Sequence, residues 1–344
     1  MPRRILIVRT DRVGDVVMTT PMIREIRRTY PDAYIGALVQ PNTAKILLNN
    51  PHLDTIITDD LSKDTFGKVV KELRRHRFRT GLLVWPTERA AYQMFLAGIW
   101  NRIGVGRKLY EIITYMRSVS RHKYIPLRHE ADYCMDLARK IGVVTDNIQP
   151  EIFITDEEKR WARDFLLKKG IRENTFKMIL HTGSKNSAPN WSESRYLELI
   201  KKILKKFPSD NFVMLLTAYE MTDGFKSDVR ALGDKRVIDV SSDFKDLRDF
   251  IKIISAVDLM VCSSTGPIHI ADALDIKCVG IHCHRPMNSA KFWGVINKKS
   301  INLEVAKEYC DTYCSSDKNK CAFENGISTD EVLKHIDIKW ISKT

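Results

Sequence analysis

The segment 263–269 combines hydroxyl side chains, a glycine and a proline directly after an apolar run at 258–262 that is typical of a buried strand. A helix that begins near Pro267 leaves free backbone N–H groups at its N-terminus. The hydroxyls of Ser264 and Thr265 add further donors, so the pattern predicts an anion site of the kind that takes phosphate. The alternative is an ordinary helix cap that binds no ligand.

A second candidate site lies in the segment 9–21, which leads from the apolar run 5–8 through a glycine turn into a helix. Asp15 falls at the start of that helix, where the helix dipole favours a carboxylate. An ionised carboxylate there can accept a proton from a hydroxyl nucleophile. The alternative role for Asp15 is that of a first-turn helix cap. The spacing G-x-G-x-x-G is absent, so the glycine turn does not indicate a dinucleotide site.

Strand and helix signals alternate along the chain, which is typical of parallel sheets built from β-α-β units. Strands are predicted at 5–8, 34–39, 55–58, 80–85, 177–181, 211–217, 237–240, 259–262 and 278–282. Helices are predicted at 16–29, 43–49, 66–76, 90–99, 156–169, 193–206, 247–255, 267–274 and 329–338. The alternation restarts after 150–176, and 344 residues suffice for two domains. Both candidate segments follow a strand, which predicts that they share one cleft.

The formal net charge is +13, and most of the excess lies in residues 1–150, which contain 25 Lys and Arg against 15 Asp and Glu. Such a basic half predicts an anionic partner: nucleic acid, an acidic membrane face or a phosphorylated substrate. The alternative is a solvated basic surface. No nucleic-acid-binding motif accompanies the charge, so we expect no nucleic-acid partner. There is neither a long apolar run nor a signal-peptide pattern, and we expect a cytoplasmic protein.

Seven cysteines are present. We expect Cys134, Cys262, Cys278 and Cys283 to be buried thiols, because each lies in an apolar stretch. Three others cluster near the C-terminus: Cys310, Cys314 and Cys321. Neither this spacing nor the pair His282 and His284 matches a zinc motif, so no metal site is predicted. The terminal cysteines then form a metal-free loop or a redox-sensitive pair.

The pattern R-x-D-x-x-G-D-x-x-x-T-x-P at 9–21 resembles the N-terminal signature of the family 9 glycosyltransferases. These are the bacterial ADP-heptose:lipopolysaccharide heptosyltransferases and their relatives. The resemblance spans nearly the whole chain, continuing at 31–35, 50–54, 181–184, 191, 247–258, 264–269, 292–294 and the terminal cysteines before 327–328.

The resemblance implies an α/β protein of the GT-B fold, with two Rossmann-like domains facing across a cleft. The corresponding boundaries are an acceptor-binding domain over 1–160, a nucleotide-sugar domain over 161–325, and a C-terminal helix over 326–344 that crosses back to the first domain. It implies inverting transfer of a sugar, heptose from ADP-heptose, onto a lipopolysaccharide core or related surface glycan. The expected location is peripheral, on the inner face of the inner membrane.

The resemblance also implies roles for individual residues. Asp15 matches the proposed general base, with no cofactor and no metal, because helix and backbone donors neutralise the leaving group. Donor binding is assigned to Thr182, Gly183, Ser184, Lys185, Glu220, Ser264, Thr265, Gly266 and His269. Binding of the anionic, lipid-linked acceptor is assigned to Arg12, Gly14, Thr19, Arg89, Arg117 and Arg121. His269 and Glu220 have the alternatives of a packing histidine and a surface carboxylate.

Two departures from the family pattern concern the donor. Many heptosyltransferases have lysine two residues before the tryptophan that matches Trp191, and this chain has Pro189 there. Many have aspartate where this chain has Ser264. A relative that uses another nucleotide sugar is therefore an alternative. Further alternatives are an epimerase or phosphorylase on a similar scaffold, and a basic, non-catalytic protein that binds nucleic acid or membranes.

Overall fold

The computed structural model describes residues 3–106, 108–184, 188–314 and 323–336. The chain divides into two compact units, Met1–Phe153 and Ile154–Thr344. In the described residues, no helix combines the length and apolar character needed to span a membrane.

The first unit is built on a six-stranded parallel sheet. Its strands are β1 (Arg4–Val8), β2 (Tyr34–Val39), β3 (Thr55–Thr58), β4 (Thr80–Leu83), β5 (Asn101–Val105) and β6 (Arg117–Val119). Their spatial order is β3-β2-β1-β4-β5-β6, the order of a Rossmann sheet. The chain reverses its direction of winding between β1 and β4, and ligands of such sheets bind at the carboxyl ends of the strands beside that point.

Seven helices accompany the sheet in the described part of the first unit. They are α1 (Val13–Val17), α2 (Thr20–Thr29), α3 (Ala44–Leu47), α4 (Phe66–His76), α5 (Glu88–Leu96), α6 (Leu109–Ile113) and α7 (Glu130–Arg139). The sheet is covered on both faces, because the four residues Ile5 to Val8 of β1 are each at most 1% exposed.

The second unit repeats this plan with a second six-stranded parallel sheet. Its strands are β7 (Phe176–His181), β8 (Phe212–Thr217), β9 (Val237–Asp239), β10 (Leu259–Ser263), β11 (Lys277–His282) and β12 (Ile301–Glu304). The order β12-β11-β10-β7-β8-β9 is again that of a Rossmann sheet, and it reverses between β7 and β10.

The described helices of the second unit include several short ones. They are α8 (Asp156–Lys168), α9 (Glu193–Lys206), α10 (Asp223–Ala231), α11 (Leu247–Ile254), α12 (Gly266–Ala273), α13 (Ala290–Trp293), α14 (Lys307–Tyr313) and α15 (Thr329–Lys334). Short 3₁₀ turns occupy Lys63–Thr65, His122–Tyr124, Pro286–Asn288 and Phe323–Asn325. The two parallel sheets confirm the predicted α/β class.

The predicted helix 16–29 is wrong as a single element, because α1 ends at Val17 and α2 begins at Thr20. Pro21 has no N–H to donate to the carbonyl of Val17, and its ring disfavours continuation of the helix. The hydroxyl of Thr20 donates to that carbonyl instead, at 2.8 Å. The break therefore ends α1 two residues after Asp15 and keeps this helix short.

The predicted C-terminal helix is present as α15, which packs against α9 of the same unit. Lys202 donates to the hydroxyl of Thr329 at 2.9 Å, and Lys206 donates to the carbonyl of Leu333 at the same distance. The predicted crossing to the first domain falls in part on residues 337–344, which lie outside the described residues.

Candidate functional site

The loop after β1 presents Asp15 at the carboxyl end of the first sheet. Arg12 is the extended N-cap of α1, and Asp15 lies in the first turn with its side chain 17% exposed. Gly14 is buried within the same turn. Thr19 is also buried, and its hydroxyl donates to the carbonyl of Asp15 at 2.9 Å. Asp15 is thus presented on a short, tightly held helix.

The guanidinium of Arg9 holds this carboxylate in place. Arg9 is 2% exposed, and it donates to Asp15, to Asp11 at 2.8 Å and to Glu130 at 3.0 Å. Glu130, itself buried, accepts a second ion pair from Arg121 at 3.0 Å. A continuous chain of charged side chains therefore connects Asp15 to Arg121 through Arg9 and Glu130.

Burial shapes the protonation of this network. Burial alone would lower the pKa of the Arg9 guanidinium, but the three carboxylates around it raise that pKa well above its ordinary value. Arg9 therefore stays cationic. Burial raises the pKa of Asp11 to about 7, with the neighbouring Asp15 adding to the rise and Arg9 opposing it. Asp11 and Asp15 thus compete for the same guanidinium.

Three of the arginines predicted to bind the acceptor lie outside this network. Arg12 is exposed beside Asp15. Arg89 makes a bidentate pair with buried Asp59, at 2.8 and 2.9 Å, so a protein carboxylate already occupies its guanidinium. Arg117 stands on β6, three strands from β1, or about 14 Å away. Arg121 is the member that the structure connects to Asp15.

Arg121 also lines a groove of about 810 Å³ that runs along α7 and the ends of β5 and the edge strand β6. Other basic lining residues are His122, Lys123, Arg128, Arg139 and Lys140. Arg128 and Arg139 are each paired with Asp132 and Asp136. Among the described residues, no hydrogen-bond or ionic partner occurs for the side chains of His122, Lys123 and Lys140. The groove therefore presents unneutralised positive charge.

The backbone of this groove is strained where it approaches Arg121. His122, Lys123 and Tyr124 have φ values of 45°, 55° and 63°. Three successive non-glycine residues in the left-handed region cost of order 1–3 kcal/mol each, and such segments concentrate at functional sites. The groove therefore combines lysines that are unpaired among the described residues with a strained backbone segment, which makes it a candidate binding site for an anion.

In the second unit, the loops after β7 and β10 lie side by side at the reversal point of the sheet. His181 pairs with Cys262 in register, so the loop 182–184 and the pair Ser264 and Thr265 leave the same edge. Thr265 is the extended N-cap of α12, and Gly266 and Pro267 open the helix. This is the geometry of an anion site at a helix N-terminus.

His269, one turn into α12, is 3% exposed, and its ring lies 5.4 Å from that of Trp293. The geometry thus gives this histidine a packing role, and its predicted role toward phosphate stays a prediction. His181, which ends β7, shares a hydrogen bond of 2.9 Å with the Thr217 hydroxyl. Burial lowers the pKa of His181 to about 4, so its ring is neutral at physiological pH.

Gly183 marks a close approach between the loops after β7 and β8. A Cβ atom added to Gly183 would lie 3.2 Å from the backbone nitrogen of Tyr219 and 3.3 Å from the Cβ atom of Ala218. The loop that follows β8 also contains exposed Glu220, which the sequence predicted for the donor. The loops after β10, β7 and β8 therefore lie next to one another at the carboxyl edge of the second sheet.

The loop 182–184 has an additional support. The side chain of Asn190 donates to the carbonyl of Thr182 at 2.7 Å, and the Tyr196 hydroxyl donates to Asn190 at 2.6 Å. Ser184 is buried at the end of this loop, and Lys185 lies outside the described residues. Asn190 directly follows Pro189, the position where many family members have lysine.

Sequence reasoning gave no role to Arg9, Glu130, Tyr219 or Asn190. Arg9 and Tyr219 share one signal, a polar or aromatic residue just after a buried strand. Glu130 and Asn190 had no such local signal, because their roles arise from partners that only the fold brings near.

Tyr219 is 50% exposed, and its ring packs edge-on against the ring of His181 with centroids 5.8 Å apart.

The terminal cysteines do not form a metal cluster in the described part of the chain, where no group of three or more His, Cys, Asp or Glu side chains converges. Cys310 and Cys314 are both free thiols, and the Cys314 thiol donates a hydrogen bond to the Cys310 sulfur at 3.6 Å. Cys321 lies outside the described residues. The four cysteines predicted to be buried thiols, Cys134, Cys262, Cys278 and Cys283, are confirmed as buried and free.

Two Rossmann-type sheets in succession define an α/β protein of the GT-B type. The family model described as glycosyltransferase family 9 (heptosyltransferase) matches residues 66–322, and the chain belongs to this family of glycosyltransferases. A putative glycosyltransferase of Haemophilus influenzae is 26% identical, covering 86% of each chain. The lipopolysaccharide core heptosyltransferase OpsX of the same organism is 23% identical, covering 89% of this chain and 87% of that protein.

A solved structure gives the same fold. The ADP-heptose lipopolysaccharide heptosyltransferase II of Escherichia coli superposes with a TM-score of 0.77 at 16% identity, covering 99% of both chains. At that identity the likeness establishes the fold, and it agrees with the family assignment from the sequence signature.

Proposed function

We propose that this glycosyltransferase is an inverting enzyme that transfers heptose from ADP-heptose to a lipopolysaccharide core or a related anionic, lipid-linked glycan. The observation that carries the proposal is Asp15, a partly exposed carboxylate at the carboxyl end of β1 that buried Arg9 orients. Relatives named as heptosyltransferases support the donor, and an anionic acceptor fits the basic first unit.

In the proposed reaction the acceptor hydroxyl oxygen attacks C1 of the donor sugar. A bond forms between that oxygen and C1, while the bond from C1 to the diphosphate oxygen breaks and its electron pair leaves with ADP. Asp15 removes the hydroxyl proton as the attack proceeds. Attack opposite the leaving group inverts the configuration at C1.

The second unit binds the donor in this proposal. The N-terminus of α12 and the hydroxyls of Ser264 and Thr265 receive the diphosphate, whose negative charge grows as the bond to C1 breaks. Thr182, Gly183 and Ser184 form the neighbouring part of the site, and Glu220 lies on the next loop. Fixed dipoles then replace a metal ion, so EDTA leaves the rate unchanged.

The groove at Arg121 receives a negatively charged group of the acceptor in this proposal. Its positive residues Lys123 and Lys140 are unneutralised, whereas Arg89 is already bound to Asp59. Arg121 in this groove shares Glu130 with Arg9. The anionic subsite and the proposed base are therefore parts of one charged network.

Replacement of Asp15 by Asn tests the proposal. We expect sugar transfer to fall by about 10²–10⁴-fold, while ADP binding measured by calorimetry is retained. Asp32→Asn, at an exposed position, is the matched control. Unchanged turnover of Asp15→Asn would remove Asp15 as the base.

A thermal-shift series with ADP, GDP, UDP and CMP tests the donor separately. We expect stabilisation by ADP in the presence and absence of EDTA, because a ligand that binds the folded state alone raises its stability. A shift with GDP or UDP instead would retain the reaction class and replace the donor, consistent with the departures at Pro189 and Ser264.

A further inference from the structure

Helix α6 exposes its apolar side chains and buries its acidic one. Leu109, Ile112 and Ile113 are 73%, 64% and 49% exposed, and their spacing places them on one face of the helix. Glu111 is 2% exposed, and its carboxylate accepts the backbone N–H of Lys108 at 2.8 Å. A helix on a water-facing surface normally shows the reverse pattern. This face is therefore suited to an apolar environment.

Two aromatic side chains beside α6 are exposed in the same way. Trp100 is 75% exposed and Tyr115 is 78% exposed. The buried guanidinium of Arg102 donates to the carbonyls of Ile99 and Thr114, the residues that precede these two aromatics. Arg102 thus fixes the two turns side by side and brings both rings to one surface.

The end of α5, which packs against α6, continues this surface. Phe95 and Leu96 are 39% and 45% exposed. The ring of Phe95 lies 5.1 Å from the Arg102 guanidinium, which ties it to the same turns. The α6 surface is defined here by Phe95, Leu96, Trp100, Leu109, Ile112, Ile113 and Tyr115.

Apolar exposure concentrates in this region. Of the sixteen large apolar side chains exposed in the described part of the chain, eight lie within residues 95–125. Isolated exposed apolar residues are ordinary, but a contiguous set of this kind marks an interaction surface.

Positive charge also lies beside this surface. Arg89, Arg121 and Arg128 of the neighbouring region are paired with acidic side chains and add little to it. Lys108 and Arg117 are exposed next to the apolar residues. Arg74 is also exposed, and it donates to the carbonyl of Leu96 at 2.7 Å. A partner that fits this surface has an apolar region to contact α6 and negatively charged groups beside that region.

We propose that the α6 surface docks on a bilayer that contains anionic phospholipid. The apolar side chains of α6 enter the boundary between headgroups and acyl chains, as in interfacial helices. Trp100 and Tyr115 lie at headgroup depth, where aromatic rings are favoured, and the surrounding cations contact anionic headgroups. A second copy of the chain is a poorer occupant, because it would bring the same positive rim against this one.

Vesicle co-sedimentation of the full chain tests the proposal. We expect binding to phosphatidylcholine vesicles that contain about 30% phosphatidylglycerol, and weaker binding to pure phosphatidylcholine, because each nearby Lys or Arg favours an anionic surface. The double variant Leu109→Ser, Ile112→Ser should bind at least about tenfold more weakly, since two apolar side chains no longer leave water. The matched control is Leu167→Ser on α8, which also replaces an exposed leucine and should bind vesicles as the parent does.

A second variant covers the case in which the first fails to fold. Trp100→Ser lies in a turn outside α6, and it should weaken binding while the thermal unfolding midpoint stays that of the parent. Vesicles that contain brominated phosphatidylcholine should quench the fluorescence of Trp100. The Trp100→Phe variant should therefore lose the quenched fraction of the tryptophan emission.

Two outcomes would overturn the proposal. One is equal vesicle binding by the parent and by a folded α6 or Trp100 variant. The other is absence of vesicle binding by the folded parent. A concentration-dependent dimer that the double variant abolishes would then assign the surface to a second copy of the chain. Neither outcome depends on glycosyl transfer, so the test is independent of the proposed function.

Discussion

The buried guanidinium of Arg9 donates a hydrogen bond to the carboxylate of Asp15. The same guanidinium contacts Asp11 and Glu130, so one cation orients three carboxylates, from the loop after β1, from α1 and from α7. A carboxylate that accepts a hydrogen bond from a planar guanidinium, itself held by two further carboxylates, has a defined direction toward a substrate hydroxyl. The position of Asp15 is therefore a property of the whole first unit.

Replacement of Arg9 by Met should destabilise the protein by about 3–5 kcal/mol, because buried carboxylates lose their partner. Arg9→Lys retains the charge without the planar fork, and we expect the fold to persist while kcat falls by about 10–100-fold. Urea unfolding and steady-state kinetics measure the two effects. Arg75→Met, at an exposed ion pair, should change stability by less than about 1 kcal/mol. Wild-type kcat in Arg9→Lys would contradict an orienting role.

The protonation of Asp11 predicts a pH dependence of stability. The unfolded chain releases this proton near pH 3.8, whereas burial and Asp15 raise the folded-state pKa to about 7. The folded state therefore binds more protons between these values, and its unfolding free energy should fall by up to about 1.4 kcal/mol per unit as pH rises from about 4 to 7. In the Asp11→Asn variant the unfolding free energy should lose the pH dependence that Asp11 contributes, and urea unfolding at several pH values measures this.

Asp32→Asn provides the comparison for that experiment, because Asp32 is exposed at a turn before β2. Its unfolding free energy should follow the parent at every pH. An Asp11→Asn profile that coincides with the parent profile would mean that Asp11 titrates normally in the folded protein.

The charged groove predicts a selective effect on the acceptor. The double variant Lys123→Gln, Lys140→Gln should raise the acceptor KM about tenfold, with kcat and ADP binding retained, because two unneutralised cations are lost. Added salt should weaken acceptor binding less in this variant than in the parent. Lys168→Gln, at an exposed position on α8, should behave as the parent does. A lower kcat with unchanged KM would argue against an acceptor subsite.

Gly183→Ala tests the donor loops. The added methyl group would lie 3.2 Å from the Tyr219 nitrogen, so the loops after β7 and β8 must separate by a few tenths of an ångström. We expect ADP to bind about tenfold more weakly, because small displacements in a site that positions its ligand are costly. Calorimetry with ADP measures this change. Gly67→Ala in α4 is the control, because an added Cβ there meets no atom of the described residues within 4 Å outside its own helix turn; it should bind ADP normally and gain up to about 1 kcal/mol of stability.

The sequence predicted the repeating α/β plan because a buried parallel strand and an amphipathic helix each have a local pattern. Phe66–His76 and Glu193–Lys206 were predicted at their observed bounds for this reason. The strands β5 and β6 were not predicted. Glycine and arginine interrupt β5, and β6 reads Arg-Ser-Val, so it contains no apolar run. Their pairing depends on the neighbouring strand, which is a non-local condition.

The positions of Asp15 and of the segment 263–269 followed from the sequence, because a residue just after a buried parallel strand must lie at the carboxyl edge of the sheet. The tertiary structure alone decided which groups surround Asp15. Arg9 and Glu130 are 121 positions apart in the chain, and only the packing of α7 against α2 and β4 makes them an ion pair. The same holds for α6, where folding buries Glu111 and leaves Ile112 exposed, because burial depends on the neighbours that the fold supplies.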